Sequence, residues 1–320
     1  MNWPQLNADH AIVTAEQMTF VENQILAIGL PEEALMEKVG QSITKWILRH
    51  KNLTEKGVIV FVGPGHNGGD GLVIARELHL AGISVSFWCP LPLKKDLTIK
   101  QFAYVKWLEI KELKSPPNVL NECMWIDAVF GLGQTRDLPS DLGNLFTARE
   151  NNLPRRLISI DVPSGICSDT GRSSKTGAAS ALYTLTVGLF KRGLIQDFAL
   201  PYVGRVVRFD IGIPDKSLLQ LSKKVPLRIC GKDLSFFSWP YISPSASKYE
   251  RGRVLIVAGS EKYKGAAYLA IKGALASGAG SLQAVLPKSL ANLIPNYAPE
   301  VVVAGVFENT SEQSVLIDKI

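Results

Sequence analysis

The chain has 320 residues, of which 46% are hydrophobic and 20% are charged, an ordinary mixture for a globular protein of about two domains. This composition excludes a disordered, collagen-like or coiled-coil protein. The net charge of +6 comes from scattered Lys and Arg residues whose tightest clusters are pairs. Nucleic-acid-binding proteins usually carry a concentrated basic stripe, so we expect no nucleic-acid partner.

No apolar run approaches the ~20 residues of a membrane-spanning helix, so no membrane partner is expected. The N-terminal residues MNWPQLNADH lack the basic and apolar regions of a signal peptide, which predicts a cytoplasmic protein. The four cysteines are far apart in the sequence and form no CxxC motif. Their spacing predicts reduced thiols, neither a disulfide framework nor a zinc site; they are Cys89, Cys123, Cys167 and Cys230.

The first half of the chain alternates between helical and strand patterns. Residues 12–50 have helical periodicity, interrupted where Pro31 ends one helix and opens the next. A continuous apolar strand then leads into a glycine-rich loop, a helix and another strand, which predicts a parallel sheet flanked by helices. These four elements are Val58–Val62, Gly63–Gly71, Leu72–Ala81 and Ile83–Trp88.

Strands and helices continue to about residue 213, and a Pro- and Ser-rich stretch follows. Residues 1–213 are predicted to form the first domain, 214–248 a connection, and 249–320 a second βαβ unit. This second unit has only about 70 residues, whereas an ordinary α/β domain needs well over 100, so we expect it to be incomplete. The predicted later strands are Met124–Ile126, Arg156–Ile160, Tyr183–Val187, Val206–Asp210, Arg253–Ala258 and Ser281–Leu286.

The glycine-rich loop reads GPGHNGGDG from Gly63 to Gly71 and contains a literal GxGxxG. A Rossmann dinucleotide site also needs an acidic residue at the end of the second strand, where this chain has Phe87–Pro90. No Walker A sequence is present either. Glycines followed by a helix N-terminus still favour an anion-binding site. The structural alternative is a tight turn with Asp70 as the helix N-cap.

Two further strands deliver polar side chains at their carboxyl ends. Asp127 follows one strand, and Asp161 and Ser164 follow the next. Ligands bind at this edge of an open α/β sheet, so these side chains are expected to converge. Asn67, Asp127 and Ser164 would offer hard oxygen ligands to a cation, and Asp161 would be available for proton transfer. Lys191 could add a positive charge, although an ordinary surface lysine is at least as good an interpretation.

Four motifs in this order, GPGHNGGDG, WIDAVFGLGQTRD, SIDVPSG and TVGLFKRGL, resemble the NAD(P)H-hydrate epimerase family, the N-terminal YjeF domain. The segment RGRVLIVAGSEKYKGAAYLAIKGALASGAG resembles the opening of the ADP/ATP-dependent NAD(P)H-hydrate dehydratases. The two resemblances together are typical of bifunctional NAD(P)H-hydrate repair enzymes. They imply an α/β protein with a Rossmann-like three-layer αβα epimerase domain, followed by an incomplete ribokinase-like α/β domain.

The resemblance also implies a set of functional residues and ligands. The substrate would be R- and S-NAD(P)H hydrate, with a potassium ion held by Asn67, Asp127 and Ser164. A complete dehydratase domain would use ADP or ATP, and the family suggests a dimer. The implied substrate-contact residues are His66, Asn67, Gly68, Gly69, Asp70, Gly131, Leu132, Gly133, Gln134, Thr135, Arg136, Asp137, Asp161 and Ala266.

The expected activity is epimerisation of NAD(P)H hydrate with Asp161 as the catalytic acid–base residue. The dehydratase region lacks the nucleotide-site motif of ribokinase-like enzymes, so this chain is not expected to dehydrate alone. Two positions depart from the family pattern: His66 replaces an Asn, and Lys38 replaces a neutral amide. These departures keep open the alternative of a non-catalytic nucleotide-binding or sensor protein.

Overall fold

The computed structural model describes residues 6–134, 136–221, 225–236 and 242–307, and it divides the chain into two compact units, Met1–Leu234 and Ser235–Ile320. In the first unit the strands are β1 Ile12–Val13, β2 Val58–Val62, β3 Val85–Trp88, β4 Lys111–Glu112, β5 Met124–Ala128, β6 Leu157–Ile160, β7 Tyr183–Val187, β8 Phe190–Lys191 and β9 Arg205–Phe209. Its α-helices are α1 Ala15–Ala27, α2 Glu32–Arg49, α3 His66–Leu80, α4 Asp96–Trp107, α5 Ser140–Asn152, α6 Leu200–Val203 and α7 Asp215–Leu218.

Seven strands of the first unit form one parallel sheet in the order β4-β3-β2-β5-β6-β7-β9. All five residues of β2 are buried, which explains why this strand reads as a continuous apolar run, and all five residues of β5 are buried as well. Two separate hydrophobic clusters cover the sheet: one draws on α1 to α4, and the other includes Leu142 and Phe146 of α5. The predicted α/β fold with helices on both faces is confirmed.

The helices of the N-terminal region begin where their local sequence favours it. Thr14 caps α1 in a reciprocal capping box, because its Oγ1 accepts from the Gln17 N–H while Gln17 Oε1 accepts from the Thr14 N–H. Pro31 precedes the first residue of α2, as predicted from the helix break. The buried residues Met18, Val21 and Ile25 turn one face of α1 towards the core.

The first unit extends beyond the predicted boundary at residue 213, because the following residues pack back onto it. The Ile12 N–H donates to Pro226 O at 2.9 Å, and His10 Nε2 lies 2.7 Å from Asp233 Oδ1. Asp233 also accepts from the Cys230 N–H at 2.6 Å. The cysteine spacing had predicted no such cluster of His10, Cys230 and Asp233, whose potential ligand atoms lie within 4.8 Å of one another. All four cysteines are free thiols.

The second unit is a three-stranded parallel sheet in the order β10-β11-β12. Buried Ala267 and Ile271 of its first helix pack against strand residues such as Leu282. No helix in the described part of the chain is long and apolar enough to cross a membrane. The elements of this unit are β10 Arg253–Val257, α8 Lys264–Ala276, β11 Ser281–Pro287, α9 Lys288–Ala291, α10 Ile294–Tyr297 and β12 Val301–Phe307.

Candidate active site

A cavity of about 380 Å³ opens at the carboxyl ends of the central strands of the first unit. Strands β3 and β4 lie on one side of β2, and β5, β6, β7 and β9 lie on the other, so the strand order reverses at this point. Open α/β sheets bind ligands at such a switch point. The cavity is lined by Thr19, Glu22, Pro64, Gly65, His66, Asn67, Asp70, Lys95, Val129, Phe130, Gly131, Leu132, Gly133, Gln134, Asp161 and Val187.

The second half of the predicted glycine-rich loop is helical, which corrects the sequence prediction. Helix α3 begins at His66, with Gly65 at its N-cap, so Asp70 lies inside the helix and is not its cap. The side chains of His66, Asn67 and Asp70 line the cavity. Because the first N–H groups of a helix have no intrahelical acceptor, the start of α3 can bind an anionic group there.

The glycines of this segment are needed for close packing of α3 on the sheet. A Cβ at Gly68 would lie 2.0 Å from Gly63 O, and a Cβ at Gly71 would lie 2.5 Å from Ala128 Cβ. Gly68 and Gly69, in the first turn of α3, are buried and do not line the cavity. Their implied contact with substrate therefore remains a prediction.

Asp161 lies at the end of β6 with a left-handed backbone, φ 66°, which is uncommon for a residue other than glycine. Its Oδ2 accepts from the Leu132 N–H at 3.1 Å, and its Oδ1 accepts from the Val187 N–H at 3.2 Å. Asp161 is 9% exposed as a whole residue and lines the cavity. These bonds fix the carboxylate at the cavity wall, where the sequence predicted an acid–base residue.

Lys191 is a buried member of the site and not a surface lysine. Its side chain is 1% exposed, and its Nζ donates to Asp161 Oδ1 at 2.5 Å and also to the carbonyl oxygen of Val187. A buried ammonium is stable only when it is paired with a charge and hydrogen-bonded. The structure therefore settles the choice that the sequence left open in favour of an ion pair with Asp161.

Asp127 is fully buried beneath the cavity and holds the ends of two neighbouring strands together. Its carboxylate accepts from the Ser164 hydroxyl at 2.6 Å, the Ser164 N–H at 2.8 Å and the Ser159 hydroxyl at 3.0 Å. Burial raises the pKa of Asp127, and the hydrogen bonds from Ser164, Val129 and Ser159 oppose that rise. Asp127 and Ser164 thus meet, as the sequence predicted.

Asn67 stands at the start of α3 and lines the cavity. A Cβ at Gly131 would lie 3.3 Å from Asn67 Cγ and 3.1 Å from Asp161 Oδ2, which shows how closely the two side chains approach this loop. The buried Asn67 Nδ2 has no hydrogen-bond partner within the described residues. The amide oxygen of Asn67, the hydroxyl of Ser164 and the carboxylate of Asp127 are hard oxygen donors whose chemistry fits an alkali cation.

Two carboxyl groups that the sequence analysis did not pair with Asp161 also line the cavity. Burial raises the pKa of Glu22 to about 7; Lys191 lowers it, and the charges of Asp161 and Glu32 raise it further. Burial also raises the pKa of Asp70 well above its ordinary value, with added repulsion from Asp161 and Glu22. The cavity therefore combines an ion pair with two carboxyl groups that resist ionisation.

The remaining predicted residues are distributed around the rim. Arg136 and Asp137 line two neighbouring cavities of about 360 and 550 Å³, and Gln134 lines these as well as the central one. His66 Nδ1 lies 2.9 Å from Glu32 Oε1, so this departure from the family pattern has a partner on α2. Thr135 lies outside the described residues. Ala266 lies in α8 of the second unit.

Sequence reasoning missed Thr19 and Glu22 of α1 and Val187 at the end of β7 as cavity residues. Glu22 did carry a signal, because it occupies the apolar stripe of α1, four residues after buried Met18 and three before buried Ile25. A charged residue on such a stripe indicates a functional or paired group. Thr19 and Val187 carried no comparable signal.

Two family models match the chain. One, described as the YjeF-related protein N-terminus, matches residues 32–193, and the other, described as NAD(P)H-hydrate dehydratase, matches residues 254–319. The chain is 38% identical over 304 residues to a bifunctional NAD(P)H-hydrate repair enzyme from Synechocystis sp., covering 94% of this chain and 58% of that relative. A similar enzyme from Thermosynechococcus vestitus is 36% identical over 297 residues, covering 92% of this chain and 58% of the relative.

A shorter relative matches the first unit. An NAD(P)H-hydrate epimerase from Lentilactobacillus buchneri is 33% identical over 206 residues, which cover 63% of this chain and 94% of the relative. The crystal structure of the yeast protein ynu0, YNL200c, superposes with a TM-score of 0.52 at 22% identity, covering 62% of this chain and 86% of that one, and supports the fold alone. The chain spans 58% of the length of the two bifunctional relatives. On the match over residues 32–193 and the similarity to the epimerase, this chain belongs to the family of YjeF-related N-terminal domains.

Proposed function

We propose that the first unit interconverts the R and S epimers of NAD(P)H hydrate and so takes part in the repair of damaged nicotinamide cofactors. The observation that carries this proposal is the buried pair of Asp161 and Lys191 at the wall of a cavity at the sheet's switch point. The similarity to an epimerase over 94% of that relative supports the same reaction.

Epimerisation requires one ring carbon to lose and regain its configuration. The hydrate carries a hydroxyl group on C6 of the reduced nicotinamide ring, next to the ring nitrogen N1. Acid-assisted departure of this hydroxyl, followed by return of water to the other face, interconverts the two epimers. A carboxylate beside the ring can move the proton in such a step, typically for a rate gain of ~10²–10⁴. Asp161 is the proposed residue for this role.

Lys191 orients Asp161 in this proposal. Its ammonium group lies 2.5 Å from the Asp161 carboxylate, which can stabilise positive charge that develops on the ring. The backbone N–H groups of Leu132 and Val187 hold the same carboxylate in place. Orientation by fixed donors costs no rearrangement at the moment of reaction.

The dinucleotide part of the substrate is proposed to bind along the rim formed by α3 and the loop from Gly131 to Asp137. The start of α3 offers unpaired N–H groups to the pyrophosphate. Arg136 and Gln134 line the neighbouring cavity of about 550 Å³, which extends the central cavity for the rest of the dinucleotide. An elongated substrate of this size fits a row of adjoining cavities better than one compact pocket.

A potassium ion is proposed to bind to Asn67, Asp127 and Ser164. When bound, it would neutralise the buried Asp127 carboxylate and order the loops that carry Asn67 and Ser164. The Phe130 N–H already donates to Ser164 Oγ at 2.9 Å, which ties the loop after β5 to this cluster. Ser164 thus joins the loop after β6 to the end of β5 and to the loop that follows β5.

The second unit is proposed to belong to an ADP- or ATP-dependent NAD(P)H-hydrate dehydratase. The match over residues 254–319 and the bifunctional relatives support this assignment. Ala266 at the start of α8 is the proposed substrate contact there. In the whole protein the two activities would act in sequence, because the epimerase supplies the S epimer that the dehydratase consumes.

The catalytic role of Asp161 is tested with the Asp161→Asn variant. We expect the epimerisation rate to fall at least 100-fold while the affinity for the dinucleotide changes little. Asp141→Asn, an exposed carboxyl on α5 remote from the cavity, is the matched control and should keep the full rate. If Asp161→Asn does not fold, Asp161→Asn/Lys191→Met removes both buried charges and serves as the second test. A full epimerisation rate in either variant would refute the assignment.

A further inference from the structure

Glu22 occupies a position on α1 that packing does not explain. It lies between Met18 and Ile25 on the helix face whose other members are buried in the hydrophobic core. A glutamate on such a stripe loses hydration without gaining apolar contacts, so it is retained only where it is paired or functional. Within the described residues it is influenced by neighbouring charges and by burial, and by no hydrogen bond.

The Glu22 side chain lines the same cavity as Asp161, but it comes from a different element. It also lines a second cavity of about 120 Å³ between α1, α2 and α3, so it stands where the two cavities meet. Burial raises the pKa of Glu22 to about 7, so a large fraction of this carboxyl group is protonated at neutral pH. Asp161, by contrast, forms an ion pair with Lys191 at 2.5 Å.

We propose that Glu22 is the general acid of the epimerisation, acting on the C6 hydroxyl while Asp161 acts as the base. This inference rests on the proposed function and adds a second catalytic residue to it. Two carboxyl groups in one cavity, one protonated and one ionised, are the arrangement that acid–base catalysis at a single carbon requires. The raised pKa of Glu22 suits the role of the acid, and the ion pair of Asp161 with Lys191 suits the role of the base.

The step balances in atoms and electrons. The Glu22 carboxyl group donates its proton to the hydroxyl oxygen, the C6–O bond breaks, and both bonding electrons leave with water as the N1 lone pair forms a C6=N1 bond. Water then adds to the opposite face of C6, the N1 lone pair is restored, and Asp161 accepts the proton that this water loses. The net change is inversion at C6 and transfer of one proton from Glu22 to Asp161, which solvent exchange reverses.

The proposal predicts a pH dependence that belongs to Glu22. The rate should fall as the pH rises through about 7, because the acid form of Glu22 is lost. Neighbouring charges contribute to this midpoint, because Lys191 lowers the pKa of Glu22 and Asp161 and Glu32 raise it. The charged and titratable groups that face Glu22 from the packed elements are Glu32, His66, Asp70, Lys95, Asp161 and Lys191.

The test compares Glu22→Gln with Glu16→Gln, an exposed glutamate on the same helix. Initial epimerisation rates are measured from pH 5.5 to 9 with R-NADH hydrate, together with dinucleotide affinity and the unfolding midpoint. We expect Glu22→Gln to lose about 100-fold in kcat, to lose the alkaline limb near pH 7, and to keep its affinity within about threefold. Glu16→Gln should retain the rate and the limb.

Each outcome separates this proposal from the proposed function. If the wild-type chain epimerises and Glu22→Gln does so at the same rate with the same pH profile, Glu22 is not the acid and the epimerase assignment stands. If folded wild-type protein is no faster than the enzyme-free control, the proposed function fails and the role of Glu22 fails with it. Should Glu22→Gln not fold, Glu22→Asp replaces it, with a lowered rate and an alkaline limb displaced to lower pH as the expected result.

Discussion

The Nζ atom of Lys191 lies 2.5 Å from Oδ1 of Asp161, and both residues are buried. Asp161 follows β6, while Lys191 ends the short strand β8, so the pair joins segments 30 residues apart. Lys191 is also held by the carbonyl oxygen of Val187. This contact pairs the Asp161 carboxylate with a buried ammonium group at the wall of the cavity.

Replacing one partner of this ion pair should lower the free energy of unfolding more than replacing both partners. Lys191→Met leaves the Asp161 charge buried without its partner, so we expect a loss of about 3–5 kcal/mol in the free energy of unfolding. Asp161→Asn/Lys191→Met removes both charges and should recover at least ~1 kcal/mol of that loss. Chemical denaturation of the wild type, both single variants and the double variant measures the coupling. Strictly additive effects would contradict a direct buried pair.

The glycines at the start of α3 provide a matched pair of substitutions. A Cβ at Gly68 would lie 2.0 Å from Gly63 O, which is backbone and cannot move aside, whereas a Cβ at Gly65 meets no atom within 4 Å. We expect Gly68→Ala to destabilise the protein by at least ~3 kcal/mol and Gly65→Ala by less than ~1 kcal/mol. Unfolding midpoints in denaturant distinguish the two. Equal effects would show that α3 does not pack on the loop at Gly63.

Potassium binding should appear as stabilisation that depends on the cation. At a concentration 100 times its dissociation constant, a ligand of the native state adds about 2.7 kcal/mol to the free energy of unfolding. The wild type should therefore melt at a higher temperature in potassium chloride than in choline chloride of equal ionic strength. Ser164→Ala should lose this difference, and Ser140→Ala, an exposed serine on α5, should keep it. The same melting temperature of the wild type in both salts would refute the proposed site.

The positions of the central strands along the chain were predictable because β2, β5, β6 and β7 are almost entirely buried and therefore rich in apolar residues. The same patterns placed Asp127 and Asp161 at strand ends, and parallel pairing brings those ends to one edge. This part of the site depends only on which residues follow which strand.

The start of α3 was not predictable from local preference. Glycine is a poor helix former, so GPGHNGGDG reads as a loop, yet the tight approach of the helix to the sheet requires glycine at positions such as Gly68. Tertiary packing overrides propensity there. For a related reason, the sequence did not decide whether Lys191 lies at the surface or in the site. Its burial depends on contacts with Asp161 and Val187, and sequence spacing alone does not predict these contacts.

The role of the first unit is tested most directly by giving the purified 320-residue chain pure R-NADH hydrate in potassium-containing buffer and separating both epimers by chromatography over time. We predict rapid approach to the equilibrium mixture of R and S epimers. A time course that matches the enzyme-free control, from a folded sample that still binds the dinucleotide, would contradict epimerase activity. The chain would then be a nucleotide-binding or sensor protein that keeps the fold of the family.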